Sequence, residues 1–174
     1  MLRRLSLVLL ILITVASAAT DILACGDKFL RVGRSARFRG YASVHPSSIL
    51  VYAPHWTRHG IADFEQMLKH GGHKPVTVTT ADAMSHALVG GKYDVVITSY
   101  VEAGTVTKEL QTLPTRPALL PVVYKATKTE NAEAVATYRC VLRPEKMTPF
   151  QALEEIDRLI DLRLKEAAST PPTR

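Results

Sequence analysis

The sequence predicts an α/β domain built on a parallel five-stranded sheet, and three observations carry that reading. The stretch Lys92–Tyr100, KYDVVITSY, contains the unbroken β-branched run Val95, Val96 and Ile97, which suits a strand covered on both faces. From Ile49 onward, short apolar strands alternate with helical patterns across short connections, which implies parallel strands with helices on both faces. Thr148-Pro149-Phe150-Gln151 joins a capping-box pair to a proline at the first helical position. Behind it, Phe150, Leu153, Ile156, Leu159, Ile160 and Leu164 form one apolar helix face.

In chain order, the first strand is Ile49–Ala53. Thr57 caps a helix whose Ile61, Phe64, Met67 and Leu68 recur at helical spacing up to Gly71-Gly72. The second strand is Val76–Thr79, followed by a helix over Thr80–Val89 that Gly90-Gly91 stops. The third strand is Tyr93–Ser99, and Glu102–Leu113 is a helix diluted by Gly104 and β-branched residues. The fourth strand, Leu119–Lys125, carries Pro121, which implies a strand end or a position whose N–H is not needed. A short helix over Thr129–Thr137, a fifth strand at Arg139–Leu142 and the terminal helix complete a (βα)5 pattern. Its expected strand order is the flavodoxin-like 2-1-3-4-5.

The chain has 174 residues, 47% hydrophobic and 22% charged, with a formal net charge of +6. One domain of this size buries enough surface to stand without a metal or a disulfide. Arg3-Arg4, an apolar run from Leu5 to Val15 and Ala16-Ser17-Ala18 read as a signal peptide over residues 1–18, because the run is too short to span a bilayer; the alternative is an uncleaved N-terminal anchor. Losing Arg3 and Arg4 lowers +6 to +4, and the expected location is periplasmic or extracellular. Residues 19–47 form a basic extension in which Lys28, Arg31, Arg34, Arg37 and Arg39 interleave with apolar residues. Such a segment either lies on an anionic membrane surface or an acidic partner, or packs on the domain as a solvated extension. No nucleic-acid motif accompanies the charge. Residues 48–167 form the domain and 168–174 a polar tail.

Outside the cytoplasm, Cys25 and Cys140 can pair as a disulfide. The alternatives are a buried free thiol at Cys140 and acylation at Cys25, where Ile22-Leu23-Ala24-Cys25 forms a loose lipoprotein box. His55 and His59 stand four apart, with His70 and His73 behind them, but no third ligand has diagnostic spacing, so no metal site is expected. There is no Gly-rich phosphate loop, CxxC, G-x-S-x-G or HExxH. No residue set supports an enzyme, and no cofactor is implied.

From Ile49 to about Leu164 the chain resembles the receiver domain of bacterial response regulators. The residues that carry the resemblance are ILVYA, the KYDVVIT block, LLPVVYKAT, and VLRP ahead of the long terminal helix. The resemblance implies a CheY-like fold in which an acidic pair after the first strand holds Mg²⁺ and an aspartate ending the third strand takes a phosphoryl group. It also implies a Ser/Thr ending the fourth strand and a lysine ending the fifth. Here those positions carry Ala53-Pro54, Ser99, Ala126 (or Thr127, one residue on) and Arg143. Mg²⁺ needs carboxylate oxygens that Ala and Pro lack, and a seryl hydroxyl with no adjacent base is a weak nucleophile. The expectation is therefore a pseudo-receiver that binds a protein partner, through either the face of its fourth helix, fifth strand and last helix or its basic N-terminal extension. The rival is an anion or small-molecule binder using His55, Ser99, Lys125, Thr127 and Arg143 at the strand ends, where acids have been lost and bases kept. Against that rival, the same residues, with Trp56 and Tyr100, can simply pack on one another.

Overall fold

The computed structural model describes residues 29–30 and 40–169. Residues 1–18, expected above to form a signal peptide, and Cys25, Lys28, Arg31, Arg34, Arg37 and Arg39 lie outside the described residues, and the expectations placed on them go with them. Phe29–Leu30 (β1) and Gly40–Tyr41 (β2) pair antiparallel. The main sheet comprises Ser48–Tyr52 (β3), Lys74–Val78 (β4), Val95–Ser99 (β5) and Ala118–Val122 (β6), all parallel, in the order β4-β3-β5-β6. Counted from β3 this is 2-1-3-4, the flavodoxin-like order as far as it goes. The helices are Arg58–His70 (α1), Ala81–Gly90 (α2), Tyr100–Gln111 (α3), Lys128–Thr137 (α4) and Pro149–Ser169 (α5).

Helix starts follow the hydroxyls that the sequence places ahead of them. Thr57 Oγ1 accepts from the Gly60 amide at 3.1 Å and Thr80 Oγ1 from Ala83 at 3.3 Å, each satisfying a first-turn donor. At α5 the capping box closes both ways: the Thr148 amide donates to Gln151 Oε1 at 2.8 Å, and the Gln151 amide to Thr148 Oγ1 at 3.3 Å.

The period-2 alternation of the strands splits the core into two layers. Ile49, Val51, Val95, Ile97 and Leu120 pack against Leu68 of α1 and Leu153, Ile156 and Ile160 of α5. On the other face, Leu50, Tyr52 and Val96 pack against Met84 and Leu88 of α2 and Val106 and Leu110 of α3. Each fully buried aliphatic side chain contributes about 1.5–3 kcal/mol. Residues 95–98 of β5 are wholly buried, as the β-branched run requires of a central strand.

The fifth strand does not form. Residues 139–142 make one parallel bridge, Val122 to Leu142, in which Leu142 accepts from the Val123 amide and donates to the Pro121 carbonyl. The next rung would need the N–H of Pro121, and proline has none. The Arg139 carbonyl is taken instead by the Arg158 guanidinium at 3.0 Å. The fourth strand also ends early, at Val122 in place of Lys125. Lys125 then turns the chain with φ +49°, a left-handed conformation that costs a non-glycine residue about 1–2 kcal/mol.

Candidate functional site

The predicted cleft lies at the carboxyl ends of the strands, the usual ligand end of an open α/β sheet. β3 delivers Ala53 and Pro54 there, and β5 delivers Ser99. Ser99 is the residue before α3, yet its hydroxyl caps nothing: Oγ is buried with no hydrogen-bond partner. His55 is mostly exposed, with Nε2 3.3 Å from Oε1 of Glu102 in the first turn of α3. That contact brings the β3–α1 loop against α3. It does not make a catalytic triad, because Ser99 Oγ makes no hydrogen bond to the imidazole.

The other predicted site residues are tied down locally. Thr127 does not end a strand, as the resemblance implies. It caps α4, accepting from the Glu130 amide at 3.2 Å while its own amide donates to Glu130 Oε2 at 2.7 Å. The Thr127 amide, and the Thr127 hydroxyl donating to the same oxygen at 2.9 Å, hold the Glu130 carboxyl below the usual range. Lys125 is exposed, its ammonium 5.2 Å from the centre of the Tyr124 ring. Arg143 follows the single bridge residue Leu142, and its Nε is buried without a partner. Trp56 packs on Phe64 at 5.3 Å and Tyr100 on Tyr138 at 6.3 Å, both edge to face. The cleft is therefore a set of separate contacts, some between distant elements, with two orphaned polar atoms on Ser99 and Arg143. Among the described residues, no three His, Cys, Asp or Glu side chains are grouped to hold a metal ion.

Asp94 lies at the opposite, amino-terminal edge of the sheet. Its carboxylate accepts from the Ser48 amide at 2.9 Å, and its carbonyl accepts from Arg163 of α5. At that same edge the sequence hid a connected polar cluster. Asp157 of α5 is only 2% exposed. It accepts from the Tyr41 hydroxyl through Oδ2 and from Ser43 Oγ, at 2.5 Å, through Oδ1. His73, fully buried just before β4, has Nε2 3.9 Å from Oδ1 of Asp157, and neither ring nitrogen has a hydrogen-bond partner. Burial pushes the His73 pKa below the usual histidine value, against the opposing pull of Asp157. Burial, together with the hydrogen bond to Asp157, raises that of Tyr41. The available signal was Asp157 itself, an acid inside the apolar face of α5 beside Leu153, Ile156 and Ile160. A cavity of about 480 Å³ opens beside this cluster, between Val44 and Pro46 on one side and Ile160, Arg163 and Leu164 on the other.

Cys140 is buried, with Arg158 Nη2 3.6 Å from its sulfur. Burial raises its thiol pKa, against the pull of that guanidinium.

Two solved structures share the arrangement. A fusion carrying the yeast Spc42 trimeric coiled coil matches with a TM-score of 0.57 at 10% identity, over 74% of this chain and 83% of its own. NtrX from Brucella abortus, a response regulator solved in complex with ADP, matches with a TM-score of 0.56 at 16% identity. That match covers 72% of this chain and 29% of NtrX. The fold is receiver-like. No family model and no curated protein matches the chain. At these identities the likeness establishes the receiver-like fold alone, so the roles of individual residues rest on the geometry above.

Proposed function

We propose that this chain is a receiver-like binding module that takes up no phosphoryl group and acts through its surface, outside the cytoplasm. The observation that carries this reading is Ser99: it ends the central strand where a receiver presents its phosphorylated aspartate, and its hydroxyl is buried and unpartnered. The neighbouring β3 end supplies Ala53 and Pro54 in place of carboxylates, which leaves Mg²⁺ without its usual anchors. The face proposed to hold a protein partner is formed by α4, the 139–142 segment and α5, where Val135 is 54% exposed.

Incubation with acetyl phosphate and Mg²⁺ tests the first half of this reading. No incorporated phosphate is expected by intact-mass spectrometry, and stoichiometric labelling of Ser99 or any aspartate would refute it. The location rests on the leader pattern of residues 1–18. Mass spectrometry of the mature chain is expected to find Ala19 at its N-terminus, and an intact Met1 would remove the export.

The orphaned Arg143 Nε and Ser99 Oγ support a second reading, an anion held at the strand ends. A thermal-shift screen against phosphate, sulfate and ADP decides it. A shift that an Arg143→Ala variant loses would favour the anion site; no shift, or an equal one in the variant, would dismiss it.

A further inference from the structure

Residues 41–47 cross the amino-terminal edge of the sheet as a strap, and the strap meets α5 in register. Tyr41, Ser43 and His45, two residues apart in the chain, meet Leu153, Asp157 and Asp161, four apart along a helix. Two backbone bonds hold the same strap to the α1–β4 connection: Ser43 donates to the Gly71 carbonyl at 2.9 Å, and Lys74 donates to the Ser47 carbonyl at 2.9 Å. His73 lies between those two anchors, buried beneath the strap.

We propose that residues 41–47 are a proton-sensitive latch: with His73 neutral, Tyr41 and Ser43 hold the strap on Asp157, and proton uptake by His73 releases it. Neutral His73 makes no hydrogen bond, so it leaves both carboxylate oxygens to the strap's hydroxyls. A charged imidazolium has two N–H donors, and the carboxylate atom 3.9 Å from its Nε2 is Oδ1, which already accepts from Ser43. In so dry a site the charge is better hydrated than buried, so protons favour the state in which the strap has lifted.

The groups around His73 divide: burial disfavours the imidazolium, while the Asp157 carboxylate 3.9 Å away favours it, and burial outweighs that pull. Asp157 faces it from α5, with Glu154 and Asp161 one turn to either side acting on Tyr41. β2 contributes the Tyr41 phenol. Lys69 and His70 in the last turn of α1, and Lys74 beyond His73, are exposed. His45, half-exposed, lies 3.4 Å from Asp161.

Hydrogen exchange on the full chain from about pH 7 to pH 5, corrected for intrinsic rates, tests the latch. Protection of the Ser43 and Lys74 amides is expected to fall by up to about tenfold per pH unit once the pH drops below about 6.5, the limit for one linked proton. Val96 in β5 should keep its protection, and a His73→Leu variant should show no such fall at Ser43. A flat wild-type profile, an equal fall in the variant or a fall shared by Val96 would overturn the proposal. Should the variant not fold, the imidazole of wild-type His73 is followed by NMR. Its proton uptake must coincide with the loss of Ser43 protection, and separate midpoints would overturn the latch.

Discussion

At the carboxyl ends of the strands most polar groups find partners close by in the chain: Thr127 bonds Glu130 three residues on, and Lys125 rests on the ring of Tyr124. At the amino ends the partners are far apart. Tyr41 and Ser43 reach Asp157 across 116 and 114 residues, and His73 joins them from a third stretch. The first end is where an α/β sheet ordinarily does its work; the second is ordinarily scaffold. In this protein the density of buried polar interaction is inverted. Local contacts shape one helix or one loop. A buried carboxylate shared by distant hydroxyls holds the fold's first strap and last helix together.

The comparison fails first at Asp157. Replacing it with alanine removes two hydrogen bonds to a charged acceptor, each worth about 1.5–3 kcal/mol. Urea denaturation should therefore show a loss of about 3–5 kcal/mol, and a loss below about 1 kcal/mol would place the two ends on an equal footing. A smaller effect belongs to the carboxyl end. Thr127→Ala deletes one helix cap and should cost about 1 kcal/mol, with the loss confined to α4 in exchange measurements. Smallest of all is Ser99→Ala. Its hydroxyl is buried without a partner, so removal should change stability by no more than about 0.5 kcal/mol, in the upward direction because an orphaned group is lost. A cost above about 2 kcal/mol would show that the hydroxyl is engaged, and the carboxyl end would then have a connected site of its own.

Much of this architecture is legible in the chain. The β-branched run of residues 95–97 announces a buried central strand, and Thr57, Thr80 and Thr148 mark helix starts that form where expected. Pro121 marks a strand end or a position whose N–H is not needed, and the structure shows the consequence: the strand stops at Val122, with one bridge to Leu142 in place of a fifth strand. Thr127 was placed at a strand end by resemblance, but the turn at Lys125 moves it to a helix cap. Of the five cleft candidates, only Ser99 and Arg143 keep orphaned polar atoms at the strand ends.

Local chemistry in the sequence determined where strands and helices start, which faces are apolar and why the receiver carboxylates are missing, since periodicity, capping and residue identity act within a few positions. The convergence of Tyr41, Ser43, His73 and Asp157 was decided by tertiary structure. Groups more than a hundred residues apart carry no shared pattern along the chain, and they meet only when α5 packs beneath the sheet and draws the strap across its edge.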